Sequence, residues 1–247
     1  MAKPTLLDYA RMSAVVYEPG LARVAGGFVR TRFESSSNGF QGGIFMRGNE
    51  AGGADYVVAF AGTQPGDDGG ADVIADAGFG GLITSLASGA LSIFGGIFGA
   101  VLGGFLGRGP AQLESQLTDA RLLLASAQGR AAGLPGSRVF VTGHSLGGGL
   151  AQIIAARTGV AAVGISAPAV TAVGGVLGDY ARTGPAIICL KIQNDPINQT
   201  ERVGNRLGTT WVLPSYRTGG DAHSIDKTVD ELKPGGRFST YGGATPV

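Results

Sequence analysis

The feature that most restricts the fold of this 247-residue chain is a glycine-flanked serine at residues 143–147, with the sequence Gly-His-Ser-Leu-Gly. The pattern G-x-S-x-G is typical of a sharp turn that joins a strand to a helix and presents the serine hydroxyl above a sheet. A β-rich run at 138–142 precedes the pattern, and small and apolar residues at 148–154 follow it. The sequence therefore predicts a strand, a strained turn at Ser145 and a helix, with glycine flanking the serine because a β-carbon would not fit there.

Strand-like and helix-like segments alternate along most of the chain. Apolar residues at helical spacing predict helices at 6–16, 112–128, 147–157, 176–181 and 224–232. Extended or continuous apolar runs predict strands at 28–33, 39–46, 56–60, 138–142, 160–165, 186–193 and 211–213. This alternation predicts an α/β fold with a mostly parallel central sheet and helices on both faces. The length suits a single domain over residues 1–247.

Charge and composition exclude several classes of function. The chain has 19 basic and 18 acidic residues and no basic tract, which argues against nucleic-acid binding. A lone cysteine, Cys189, excludes an internal disulfide, and two histidines make a His-rich metal site improbable, so we expect no metal or cofactor. The first residues do not resemble a cleavable secretory signal, which predicts a cytoplasmic protein or export by a signal-independent route.

The small number of histidines narrows the choice of a catalytic base. A serine hydroxyl is a weak nucleophile until a base takes its proton, and a histidine is the usual base. His144 is adjacent to Ser145, so its side chain should point away from the hydroxyl, and we interpret it as a structural residue of the turn. His223 follows the last predicted strand and precedes a helix, where the base belongs if the chain order is serine, acid, histidine.

The acid that orients the base should lie between Ser145 and His223 in the sequence. Asp195 directly follows the predicted strand 186–193, at the carboxyl end where sites form in open α/β sheets. We predict Asp195 as the acid and keep Asp221 and Glu201 as alternatives.

Two further positions are candidates for an oxyanion hole. One donor should be the backbone N–H of Leu146, which follows the nucleophile. The other should come from the turn after the strand 56–60, where Thr63 offers a backbone N–H and a hydroxyl.

These motifs together resemble a known family. Residues 58–63, 141–148, 195–196 and 223–225 resemble, in this order, the signature positions of the class 3 lipases, which are fungal-lipase-like α/β hydrolases, and residues 9–13 resemble that family's opening helix. The resemblance implies an α/β-hydrolase fold, a triad of Ser145, Asp195 and His223, and an oxyanion hole of Thr63 and Leu146. The chain departs from the family at Ala61, where many relatives have arginine, and in the region that usually forms the lid.

That region is a glycine-rich segment. Residues 78–107 contain ten glycines among apolar residues and no charged residue. The segment is long enough for one membrane-spanning helix, which needs roughly 20 residues. Thr63 precedes the segment and Ser145 follows it, and both must reach one carbonyl, so a single crossing of a bilayer about 30 Å thick is excluded. Residues 78–108 are therefore predicted to form a lid or re-entrant insertion that contacts membranes. A pair of glycine-rich helices packed against the domain is the alternative.

The sequence thus predicts a serine carboxylester hydrolase, a lipase or phospholipase that acts on lipid esters through an acyl-enzyme. One alternative is an antibacterial phospholipase effector delivered by a secretion system, which would have an inhibitor or immunity protein as a partner. An alternative of another class is a membrane-inserting, non-enzymatic protein on a hydrolase-like scaffold.

Overall fold

The computed structural model describes residues 3–20, 23–24, 26–62, 110–202 and 204–247. Two predicted features, Thr63 and the insertion at 78–108, lie outside the described residues and stay predictions. Among the helices that are described, none combines the length and the apolar character needed to cross a membrane.

One eight-stranded sheet forms the centre of the described residues, and each strand pairs with the next along the chain. The first four strands pair antiparallel, and the last five run parallel to one another. In chain order the strands are β1 Arg23–Val24, β2 Phe28–Ser35, β3 Gln41–Gly48, β4 Ala54–Phe60, β5 Arg138–His144, β6 Ala161–Ile165, β7 Ile187–Ile192 and β8 Thr209–Leu213. The predicted parallel sheet is confirmed from β4 onward.

Helices cover both faces of the sheet, as predicted. They are α1 Leu6–Val15, α2 Pro110–Ala132, α3 Leu146–Thr158, α4 Val176–Thr183, α5 Gly219–His223, α6 Ile225–Leu232 and α7 Ser239–Gly242, with a 3-10 helix at Pro196–Arg202. Helices α2, α3 and α4 bury apolar side chains against one face, and α1 and α6 do so against the other. Because both faces are covered, β4 is buried along its whole length.

The elements that the sequence did not predict are short. They are β1, the 3-10 helix at Pro196–Arg202, α5 and α7, none longer than seven residues. Such segments are too short for a hydrophobic period to be read from them. Two of them carry or adjoin predicted site residues, because Asp195 directly precedes the 3-10 helix and His223 ends α5.

Strands β4 and β5 are held in register by a buried ion pair. Asp55 has a fully buried side chain that accepts hydrogen bonds of 2.7 and 2.9 Å from Arg138. The two residues are partners in the parallel ladder, and further along the same ladder Phe60 pairs with Gly143. A slip of the register would separate the buried carboxylate of Asp55 from Arg138 and break both hydrogen bonds, so the pair favours the observed alignment of the two strands.

Helix α1 packs against β5 and ends close to the serine turn. Its start is fixed by a capping box in which Thr5 Oγ1 accepts from the Asp8 N–H and Asp8 Oδ2 accepts from the Thr5 N–H. Further along, the Ser13 hydroxyl lies 3.3 Å from that of Thr142 in β5. The chain leaves this helix at Tyr17, whose hydroxyl reaches the site described next.

Candidate active site

The predicted serine turn joins β5 to α3. Ser145 has φ 56° and ψ −130°, a backbone conformation that is strained for a residue with a β-carbon. Its N–H donates to the carbonyl of Ile165 at the end of β6, and its own carbonyl accepts from the N–H groups of Gly148 and Gly149 in the first turn of α3. The surrounding backbone therefore holds the serine in the strained conformation.

Three glycines allow the backbones around the turn to approach each other. A β-carbon on Gly143 would lie 2.4 Å from the carbonyl group of Gly147, and one on Gly147 would lie 2.1 Å from the carbonyl oxygen of Phe60. A β-carbon on Gly148 would lie 2.7 Å from that of Ala167. The close packing predicted at residues 143 and 147 is confirmed, and it extends to residue 148.

Replacement of Gly147 by alanine is expected to lower the free energy of unfolding by about 3 kcal/mol, which is at the upper end of the range for overpacking. The effect should be large because the new β-carbon would clash with the backbone carbonyl of Phe60, which cannot rotate away as a side chain could. Gly178→Ala is the matched control, since a β-carbon there meets nothing within 4 Å and Gly178 lies inside α4. That variant should gain up to about 1 kcal/mol from the higher helix propensity of alanine. Urea unfolding of both variants measures the difference, and equal effects would contradict the packing argument.

The structure brings Ser145, His223 and Asp195 together. Asp195 lies beyond the end of β7 and His223 ends α5, at the same edge of the sheet as the serine turn. His223 Nε2 lies 2.9 Å from Ser145 Oγ, and His223 Nδ1 lies 2.9 and 3.0 Å from the two carboxylate oxygens of Asp195. Residues separated by up to 78 positions thus form one continuous line of polar contacts.

The direction of these hydrogen bonds follows from the groups involved. An ionised carboxylate only accepts, so His223 Nδ1 carries the proton that is donated to Asp195. In a neutral ring Nε2 is then an acceptor, and the Ser145 hydroxyl donates to it. This arrangement leaves a base at the serine hydroxyl.

The environment of Asp195 favours its charged form. Burial raises the pKa of the carboxyl, but the charge and hydrogen bond of His223 and the N–H of Ile197 lower it, and together they hold the pKa below its ordinary value. The Ile197 N–H donates to Asp195 Oδ1 over 2.9 Å. A carboxylate that stays ionised can support a protonated imidazole beside it.

The two alternative acids make other contacts. Asp221 forms an ion pair with Lys227 near the surface. Glu201 forms ion pairs with Lys191 and with Arg206. The contact with His223 therefore favours Asp195 over both.

His144 lies behind His223 and has a different set of partners. Its Nε2 is 2.7 Å from the backbone carbonyl of His223, its Nδ1 is 3.1 Å from the Tyr17 hydroxyl, and the two histidine rings lie 4.7 Å apart between centroids. The Tyr17 oxygen in turn accepts from the N–H of Gly62. Burial, and next the charge of His223, lower the pKa of His144 from 6.5 to about 3, so the ring is neutral at physiological pH.

The buried, neutral state of His144 predicts a specific acid sensitivity of the fold. As the pH falls below the ordinary pKa of 6.5, the unfolded chain takes up a proton on His144, whereas the folded chain does not until its pKa of about 3. The stability of the folded chain that is present above pH 6.5 is therefore progressively lost between pH 6.5 and pH 3. Between pH 6 and pH 4 the free energy of unfolding should therefore fall by about 2 kcal/mol less in His144→Gln than in the wild type. Urea unfolding at both pH values measures this, and an equal fall in both proteins would contradict it.

The oxyanion positions are described in part. Leu146, the predicted donor, begins α3 directly after Ser145. Thr63 lies outside the described residues, but Gly62 before it is close to Ser145, since a β-carbon on Gly62 would lie 3.0 Å from that of Ser145. Within the described ranges, no three His, Cys, Asp or Glu side chains are grouped so that they could hold a metal ion.

The sequence did not indicate Tyr17 or the Ile197 amide as parts of the site. Tyr17 is 127 positions from His144, and the turn of the chain beyond α1 carries no motif that links them. The 3-10 helix that presents the Ile197 amide has no hydrophobic period.

Known structures share this fold. Lipase II from Rhizopus niveus matches with a TM-score of 0.52 at 14% identity, over 97% of this chain and 92% of its own. A deletion mutant of the Rhizomucor miehei lipase in a propeptide complex gives 0.52 at 16% identity, over 97% and 78%. A lipase from Rhizopus microsporus var. chinensis gives 0.51 at 16% identity, over 85% and 74%.

A scan of protein-family models and a search of curated protein sequences found no match. At these sequence identities the likeness to the solved lipases concerns the fold. The chain has the lipase-like α/β-hydrolase fold, and the resemblance to the class 3 lipases is confirmed at that level.

Proposed function

We propose that this chain, which has a lipase-like α/β-hydrolase fold, is a serine carboxylester hydrolase that acts on lipid esters. The observation that carries the proposal is the line of contacts from the Ser145 hydroxyl through His223 to the buried carboxylate of Asp195. Its direction of hydrogen bonding matches what acyl transfer requires, a base at the nucleophile and an anion behind the base.

In the acylation step, Ser145 Oγ attacks the carbonyl carbon of the ester while His223 Nε2 takes the hydroxyl proton. Asp195 keeps the ring oriented and balances its positive charge. The N–H groups of Leu146 and Thr63 would donate to the oxygen that becomes negative in the tetrahedral intermediate. Collapse of this intermediate breaks the ester C–O bond, and His223 gives its proton to the departing alcohol, which leaves the acyl group on Ser145.

In the deacylation step, water replaces the alcohol. His223 Nε2 takes a proton from the water as its oxygen attacks the acyl carbonyl, and a second tetrahedral intermediate forms. The bond to Ser145 Oγ then breaks and His223 returns the proton to that oxygen. Over the whole cycle one ester and one water give one alcohol and one carboxylic acid, and the free enzyme is recovered with its charge unchanged.

The proposal of a lipid substrate rests on two supports of different kinds. The solved structures with a similar fold include proteins named as lipases. The uncharged, glycine-rich sequence at 78–107 also suits contact with a lipid surface, an argument from sequence alone because the segment lies outside the described residues.

A substrate panel tests the proposed function. Wild type and Ser145→Ala are assayed on p-nitrophenyl butyrate, on emulsified triacylglycerol, and on phosphatidylcholine vesicles labelled at the sn-1 or sn-2 ester. We expect the wild type to hydrolyse the short ester and at least one lipid, and the variant to hydrolyse none. Vesicle leakage without release of fatty acid by either protein would favour the non-enzymatic alternative and contradict the proposal.

Deletion of residues 89–104 tests the proposed contact with lipid. The variant should lose binding to anionic phospholipid vesicles in a flotation assay, because the apolar surface that would enter the interface is gone. It should keep hydrolysis of p-nitrophenyl butyrate within about threefold, since a soluble ester needs no interface. Full activity on lipid after the deletion would contradict this role of the segment.

A further inference from the structure

We propose that Tyr17 and His144 are positioning residues of this site, an inference that rests on the proposed function. They form a hydrogen-bonded chain that ties the backbone of His223 to the end of β4, directly before the predicted oxyanion donor Thr63.

The chain has three links. The Gly62 N–H donates to the Tyr17 oxygen over 2.8 Å, the Tyr17 hydroxyl lies 3.1 Å from His144 Nδ1, and His144 Nε2 lies 2.7 Å from the carbonyl oxygen of His223. These residues belong to four separate parts of the fold, which are the turn after α1, the end of β4, the end of β5 and α5. No two of the segments linked by these bonds are neighbours in sequence, so the bonds connect parts that could otherwise shift independently.

The protons of the chain have one consistent direction. A carbonyl oxygen only accepts, so His144 Nε2 must carry a hydrogen and donate it to His223. In the neutral ring Nδ1 then accepts, which makes the Tyr17 hydroxyl its donor. The same hydroxyl oxygen accepts from the Gly62 N–H. Each bond thus polarises the next in the same sense, which strengthens a buried chain.

The position of the chain explains why it should affect the reaction. In the proposed reaction His223 must hold Nε2 at the serine hydroxyl, and the predicted oxyanion donor directly follows Gly62 in the sequence. Gly62 is already against the nucleophile, because a β-carbon there would lie 3.0 Å from Ser145 Cβ and 2.7 Å from the Tyr17 hydroxyl. A displacement of about 1 Å in such a site can lower the rate by about 100-fold.

Packing alone does not account for the residue types. His144 is buried, with 6% of its surface exposed, and its ring lies against that of His223. An apolar side chain could fill this space without burying two ring nitrogens, which carry a cost unless both are bonded. Both nitrogens are bonded here, Nε2 to the carbonyl of His223 and Nδ1 to the Tyr17 hydroxyl, which in turn accepts from the Gly62 N–H.

The test compares variants that break the chain at different links. His144→Gln keeps a donor at the place of Nε2, and His144→Asn keeps a polar group only at the place of Nδ1. Tyr17→Phe removes the central hydroxyl with little change of shape, and Tyr216→Phe, at a tyrosine that is 77% exposed, is the matched control. The full chain is assayed on p-nitrophenyl butyrate, kcat is divided by the active sites titrated with a fluorophosphonate, and melting temperatures are recorded.

We expect Tyr17→Phe and His144→Asn to lower kcat per titrated site by about 10-fold to 100-fold, with KM changed less than about threefold. His144→Gln should retain about tenfold more activity than His144→Asn, because the bond to the His223 carbonyl is kept. The double variant Tyr17→Phe/His144→Asn should be no slower than the slower single variant, since both act through one chain.

Full kcat in Tyr17→Phe and His144→Asn, with only their melting temperatures lowered, would overturn the inference and leave the proposed function intact. Equal loss in the Gln and Asn variants, or additive loss in the double variant, would also overturn it. Wild-type activity in Ser145→Ala is the separate result that removes the proposed function itself.

Discussion

Ser145→Ala is expected to lower kcat/KM for p-nitrophenyl butyrate by about 10⁴-fold or more. The substitution removes the oxygen that would attack the ester and leaves His223 without a nucleophile to activate. Residual hydrolysis should come only from stabilisation of the oxyanion and from binding. Labelling of the chain by a fluorophosphonate should disappear in the same variant, because the reagent reacts with the activated serine.

Ser126→Ala is the control for this variant. Ser126 lies on α2, where its hydroxyl accepts a hydrogen bond from Arg32. Its loss should leave hydrolysis and labelling within about twofold of wild type, as surface substitutions do. Labelling that persists at full strength in Ser145→Ala would contradict the assignment of the nucleophile.

Asp195→Asn is expected to lower kcat by about 10⁴-fold at pH 7, with KM changed much less. The amide of asparagine can donate to His223 Nδ1, so the ring proton would move to Nε2, the atom that has to accept the serine proton. The substitution also removes the negative charge that balances the protonated ring. Steady-state kinetics on p-nitrophenyl butyrate, with active sites titrated, measure the loss.

Asp221→Asn is the matched control, because it makes the same chemical change at the alternative acid. Asp221 pairs with Lys227 and its side chain is 64% exposed. We expect kcat within about twofold of wild type, since an exposed ion pair contributes little. A large loss in this variant together with a small one in Asp195→Asn would reverse the choice between the two acids.

The α/β fold could be predicted because its signals are local and repeated, and the resemblance of the motifs to the class 3 lipases implied its hydrolase type. The alternation of strands and helices beyond residue 110 follows from hydrophobic periods that each segment carries by itself, and the structure reproduces it. The antiparallel pairing of β1 to β4 was not predicted, because pairing direction depends on connections and partners that a single segment does not show. Short elements such as α5 were not predicted because they span too few residues for a hydrophobic period to be read.

The carboxylate that contacts His223 could not be chosen from the sequence alone. Chain order and strand ends favoured Asp195 but left Asp221 and Glu201 open. All three are carboxylates close to the site in sequence, and Asp221 is the closest to His223. The distance from His223 Nδ1, 2.9 Å for Asp195, could be known only after β7 and α5 were placed on the sheet.

The sequence by itself determined the strained turn at Ser145, the need for glycine around it, and the order in which serine, acid and histidine follow one another. The turn and its glycines depend on backbone sterics within a few residues. The order of the three residues depends on the order in which the parallel strands follow one another along the chain. Tertiary structure alone decided which carboxylate faces His223, and it revealed that His144 and Tyr17 link His223 to Gly62 through hydrogen bonds. A hydrogen bond depends on atoms coming within about 3 Å, and for residues 28 to 127 positions apart only the packed sheet and helices set that distance.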